Sequence, residues 1–125
     1  MQFAILIYAH EETMLNADKA TMAETLAAYG AYTQAITASG ILLGSNRLRP
    51  TASATTVRVA DGRTQVLNGP FAETKEQLAG YYLIDVPDLD AAISWAAKCP
   101  GASRGTLEVR PVWDMADYAL PQAAQ

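Results

Sequence analysis

The sequence predicts an α+β fold: a four-stranded antiparallel sheet, two helices on one of its faces, and a hairpin inserted between its second and third strands. Three observations predict it. Residues 2–9 and 81–86 are apolar on both alternating faces, as strands buried on both sides must be. After the first strand the period changes, and Met22, Leu26, Tyr29, Thr33 and Ile36 recur at helical spacing among alanines. The order strand, helix, strand, hairpin, strand, helix, strand repeats a βα unit twice, which is the split βαβ or ferredoxin-like sandwich.

In the strand Gln2–Ala9, Phe3, Ile5 and Ile7 fall on one face and Ala4, Leu6 and Tyr8 on the other. The first helix opens at the Thr21-Met22-Ala23-Glu24 capping box or earlier, near Asp18, and stops at Gly40. Ile41 to Leu43 begin the second strand, which has ended by Arg49-Pro50. Thr55–Ala60 and Arg63–Leu67 form the arms of the hairpin, because Asp61-Gly62 suits a type I′ turn. Asn68-Gly69-Pro70-Phe71 is a second turn, and Thr74 to Gln77 are expected to form one helical turn. Asp88 caps the second helix, with Leu89, Ala92, Ile93 and Ala96 as its buried stripe and Pro100-Gly101 as its end. In the last strand Leu107, Val109, Pro111 and Trp113 alternate with Glu108, Arg110 and Asp114. Pro111 cannot donate to a ladder, so this strand belongs at an edge, while the two doubly apolar strands belong at the centre. Residues 1–118 are expected to form one domain, and 119–125 to be a frayed tail.

With both helices on one face, the other face of the sheet still presents apolar groups, from either the Phe3 or the Leu6 set and from one of Tyr81 and Tyr82. Covering that patch with an identical sheet predicts a homodimer; the alternative cover is the inserted hairpin. The 125 residues are 50% hydrophobic with a net charge of −4, which argues against nucleic acid or a polybasic membrane contact as partner. One cysteine and one histidine make neither an internal disulfide nor a histidine metal cluster, and no metal or cofactor is expected. The strand-like opening lacks a basic leader segment, and no apolar run approaches a membrane span, so a cytoplasmic protein is expected. Glycine-rich phosphate loops and a G-x-S-x-G nucleophile elbow are absent from the sequence.

The candidate chemistry is sparse. His10 follows the first strand, where a central strand delivers a side chain to a crevice, and histidine is the side chain type suited to proton transfer near neutral pH; as a proton carrier it is the candidate catalytic residue. Tyr29, Tyr32 and Tyr82 are expected either to line a ligand pocket with hydroxyls or to pack in the core. Phe71 reads as a plug pinning its loop, and Arg47 and Arg49 as anion-attracting or merely solvated.

The stretch from Asn68 to Val86, NGPFAETKEQLAGYYLIDV, closely resembles the signature of YCII-related proteins, specifically the branch named for an Asp-Gly-Pro-Phe motif. The resemblance extends to Ile5–Tyr8, Ala28–Tyr32, Thr55–Val59, Trp95–Ala97 and Glu108–Val112. It implies a ferredoxin-like chain that dimerises through its sheets, in the dimeric α+β barrel superfamily, with no generally established activity. Members often sit beside, or are fused to, extracytoplasmic-function sigma factors, which implies a regulatory partner. Two positions depart from the pattern. The motif aspartate is Asn68, which keeps the size but cannot serve as a carboxylate base. The histidine that related proteins carry on the first helix is matched by Tyr29. Two functions follow: a small-molecule-binding or regulatory domain, with Tyr29, Tyr32, Asn68, Phe71 and Tyr82 at the ligand; or a small proton-transfer enzyme, of the isomerase or dehydrochlorinase type, working through His10.

Overall fold

The computed structural model describes residues 1–118; the expected tail, 119–125, lies outside the described residues. The main sheet contains β1 (Gln2–Ala9), β2 (Leu42–Arg47), β5 (Gln77–Asp85) and β6 (Thr106–Pro111) in the order β2-β5-β1-β6, every pair antiparallel. The doubly apolar strands are central and the proline-bearing strand lies at an edge, so this is the ferredoxin-like order. The hairpin of β3 (Thr55–Ala60) and β4 (Arg63–Asn68) forms a separate two-stranded sheet. Asp61 and Gly62 both have positive φ, 52° and 74°, as a type I′ turn requires.

Phe3, Ile5 and Ile7 of β1 face the helices with Tyr82 and Ile84 of β5. The helices are α2 (Lys19–Ala38), which contributes Tyr32 and Ile36 to this core, and α3 (Leu89–Lys98), which contributes Ala92 and Ala96. The opposite face is half-exposed and apolar, carrying Ala4, Leu6 and Tyr8 beside Ala79, Tyr81 and Leu83. The hairpin's valines, Val57, Val59 and Val66, are exposed.

The structure decides one alternative and differs from expectation in three local features. Asp18 is the cap of the first long helix, accepting the Thr21 amide at 2.7 Å, so that helix starts before the Thr21 box. Residues 74–77 form a bend, because Gln77 donates its side-chain amide to the Thr74 carbonyl at 2.6 Å and then enters β5. Two one-turn helices were hidden by their length, α1 (Glu11–Leu15) and α4 (Gly101–Arg104). Finally, Leu89 and Ile93, expected in the buried stripe of α3, are exposed, and Met22 and Leu26 of α2 are exposed as well. Asp88 does cap α3, accepting the Ala91 amide at 2.9 Å. Among the described residues no helix is long and apolar enough to cross a membrane.

Candidate functional site

Helix α2 touches the core through its C-terminal half. Its N-terminal half has no buried residue and stands away from the sheet. The gap is a cleft of about 1140 Å³, walled by α2 on one side and by β2, β5 and the end of β1 on the other. Missing side chains deepen it. Gly80 occupies the inward position on β5 that alternation would otherwise give to a residue like Tyr82 or Ile84, and Gly101 and Gly105 line the far side. Gly101 also makes room for a hydroxyl, since a Cβ there would lie 2.6 Å from Tyr29 Oη.

The α2 wall is a row of hydroxyls four residues apart: Thr21, Thr25, Tyr29, Thr33 and Thr37 all line the cleft. Thr33 Oγ1 meets the Tyr82 hydroxyl at 2.7 Å across the gap. Of the residues singled out from sequence, His10, Tyr29 and Tyr82 line the cleft together, with Arg47. Tyr32 is buried behind the wall: its hydroxyl donates to the Trp95 carbonyl at 2.8 Å, and its ring packs edge-on against Tyr82, with centroids 5.2 Å apart. Asn68 ends β4 opposite Thr55, and Phe71 is exposed on the following loop, with the Arg58 guanidinium 5.9 Å from its ring centre. Neither lines the cleft. Sequence reasoning missed the threonines and Arg104; the four-residue spacing of the hydroxyls was the available signal.

His10 caps α1, an unusual role for histidine. Its Nδ1 accepts the Thr13 amide at 3.3 Å and lies 2.8 Å from Thr13 Oγ1. An amide can only donate, so Nδ1 is the unprotonated nitrogen and the ring proton is on Nε2. In this state His10 is a hydrogen-bond donor to the cleft rather than a base. Its neighbour Glu11 is engaged elsewhere: the carboxylate accepts from the amide and hydroxyl of Thr51, and the Glu11 amide donates to Gln77 at 3.0 Å.

The phenols are also held as donors. Burial raises the Tyr29 pKa far above its ordinary value, helped by the Cys99 thiol beside it and opposed by the positive charge of Arg104. Burial likewise raises Tyr32, Tyr82 and Cys99, with the Thr33 contact partly offsetting the effect on Tyr82 and the Gly101 amide and Tyr29 hydroxyl that on Cys99. These groups are neutral when protonated, and folding keeps them so beyond the pH at which the unfolded chain releases the proton. Their contribution is therefore full below the ordinary values, 9.0 for cysteine and 10.0 for tyrosine, and is lost as pH rises above them. Melting temperature should accordingly fall above pH 9, and Tyr29→Phe should make the decline shallower above pH 10. An unaltered slope in Tyr29→Phe would contradict this placement of the phenol.

Residues 1–116 match the YCII-related domain. An uncharacterised protein of Rhizobium meliloti (strain 1021), R00369, is 41% identical over 119 residues, covering 90% of this chain and 92% of that protein. Among solved structures, the fold is shared with 5-chloro-2-hydroxyhydroquinone dehydrochlorinase (TftG) from Burkholderia phenoliruptrix AC1100, in its complex with 2,5-dihydroxybenzoquinone. That match has a TM-score of 0.53 at 13% identity and covers 94% of this chain and 98% of that one. The four-stranded order, the inserted hairpin and the near full-length match agree, and the chain belongs to the YCII-related family, whose function is uncharacterised.

Proposed function

We propose that this protein is a small-molecule-binding domain whose ligand lies in the cleft between α2 and the sheet. The observation that carries the reading is the lining itself: an apolar and hydroxyl-rich wall of ligand-sized volume in which His10 and the tyrosines are held as donors, with no side chain poised as a base among the described residues. The bound 2,5-dihydroxybenzoquinone of the dehydrochlorinase supports a small, flat, oxygen-bearing ligand. Proton-transfer catalysis is the second reading, favoured by the position of His10 at the lip; it requires His10 to give up the α1 cap before Nδ1 can take a proton.

The cleft can be probed with N-phenyl-1-naphthylamine, a neutral dye that fluoresces on entering apolar sites. Gly30 lines the cleft, and a Cβ there meets nothing within 4 Å, so Gly30→Phe puts a ring into the space without a clash on the helix. Wild-type protein should bind the dye, and Gly30→Phe should lose most of that binding while keeping its melting temperature. Equal binding by both proteins would refute the cleft as the site.

The half-exposed apolar face of β1 and β5 supports assembly as a homodimer through that face, the arrangement expected of the Asp-Gly-Pro-Phe branch. In such a dimer, ligand occupancy would be signalled to a regulatory partner such as a sigma factor. Sedimentation at micromolar concentration should give a dimer that Leu83→Glu converts to monomer. A wild-type monomer would defeat this part of the proposal.

A further inference from the structure

We infer that the cleft selects an anionic amphiphile: a molecule with an apolar, flat body and one oxyanion such as a carboxylate, sulfonate or enolate. The inference rests on the cleft being the ligand site and adds the charge of what it takes. The chain carries 13 acidic side chains against 9 lysines and arginines, yet among the described residues no aspartate or glutamate lines the cleft. Its charged lining residues are Arg47 and Arg104, so an acidic protein presents a locally positive site.

Topology explains the placement. β1 ends at Ala9, β2 ends at Arg47, and Arg104-Gly105 lead into β6. The antiparallel order brings these three points to one end of the sheet, with His10, just past the end of central strand β1, between two flanking arginines. Three strand spacings separate β2 from β6, about 14 Å, so the two guanidiniums guard opposite sides of the mouth rather than clamping one atom.

Arg104 is the better prepared of the two. Its Nη1 donates to Thr25 Oγ1 of α2, which fixes the guanidinium across the cleft. Its charge acts on the Tyr29 phenol, so an oxygen accepting from Arg104 also lies near a hydroxyl that stays protonated. Among the described residues neither arginine makes a salt bridge. The acids around this end of the sheet are engaged elsewhere or lie outside the lining: Glu11 holds Thr51, Glu76 accepts from the Thr106 hydroxyl at 2.7 Å, Glu108 pairs with Arg110, and Glu12 and Glu24 are exposed. A fixed guanidinium without a carboxylate partner, beside a neutral donor and an apolar wall, matches an oxyanion on an apolar body.

The test compares two dyes that differ by one group. 8-Anilinonaphthalene-1-sulfonate is N-phenyl-1-naphthylamine with a sulfonate added. Wild-type protein should bind the sulfonate at least about tenfold more tightly at low salt, and the preference should shrink as salt rises. Arg104→Gln should abolish most of the preference, and Arg47→Gln should reduce it. Equal affinity for the two dyes would overturn the anion assignment while leaving the cleft as a site. A preference that survives in the double variant would overturn the assignment to these arginines. If neither dye binds, or if Gly30→Phe changes neither, the binding reading falls and this inference with it. Displacement of the sulfonate by inorganic phosphate alone would overturn the requirement for an apolar body.

Discussion

Replacing Ile36 with alanine should destabilise the protein by about 2–5 kcal/mol, a large share of the roughly 5–15 kcal/mol that holds a domain of this size together. Ile36 is fully buried, and with Tyr32 it is one of the two buried side chains that α2 contributes to the core. Removing its branched end leaves a cavity under a long helix whose N-terminal half has no buried side chain of its own. The cleft wall should loosen as well, so dye affinity should fall together with stability. Leu26→Ala makes the matched control: Leu26 recurs at the same helical spacing as Ile36, but it borders the cleft at 52% exposure, and its loss should cost well under half as much. Urea unfolding measures both as a shift in midpoint with unchanged slope. Equal losses at the two positions would mean that the N-terminal half of α2 packs on the sheet as closely as its C-terminal half, with no cleft between them.

Gly105→Ala should be the other severe substitution, at about 1–3 kcal/mol or more. A Cβ at Gly105 would lie 2.2 Å from the Tyr8 carbonyl oxygen and 3.3 Å from the Ala9 Cα. Both are backbone atoms of the central strand, so no side chain can swing aside to relieve the contact. The start of β6 must move off β1, losing the pairing of Tyr8 with Thr106 and shifting Arg104 from the cleft mouth. Gly30→Ala provides the contrast. It is also a glycine lining the cleft, but it sits inside α2 with open space where its Cβ would be, and alanine there should be neutral or stabilising by about 0.5–1 kcal/mol. Thermal unfolding of the two variants separates them: opposite signs are expected, and a stable Gly105→Ala protein would contradict the close approach of β6 to β1.

The fold was largely legible in the chain because its strands and caps have short, physical signatures. Phe3, Ile5 and Ile7 alternate with Ala4, Leu6 and Tyr8, which is the pattern of a strand covered on both faces, and Pro111 marks an edge. Asp61-Gly62 specifies its turn, and Asp88 its helix. The faces of the helices were less legible. The helical spacing found one side of α2 but not how much of it is buried: Ile36 enters the core with Tyr32, whereas Met22 and Leu26 line the cleft and stay exposed. The pattern also left open which side of β1 meets the helices, since both sides are apolar. The one-turn helices α1 and α4 are too short to show a period, and a histidine is an uncommon cap, so the capping role of His10 was not legible. The cleft was least legible because it is made of absences: a helix standing away from the sheet, and glycines where side chains would fill the gap. Arg104 enters the cleft through the turn of α4, which sequence spacing did not reveal.

The most direct measurement is a crystal structure of the protein with 8-anilinonaphthalene-1-sulfonate bound. The dye's rings should lie between α2 and β5, against Tyr29 and Tyr82, with the sulfonate facing the Arg104 guanidinium. Dye seated on the Leu6–Leu83 sheet face or along the valines of the hairpin, with the cleft empty, would contradict the account.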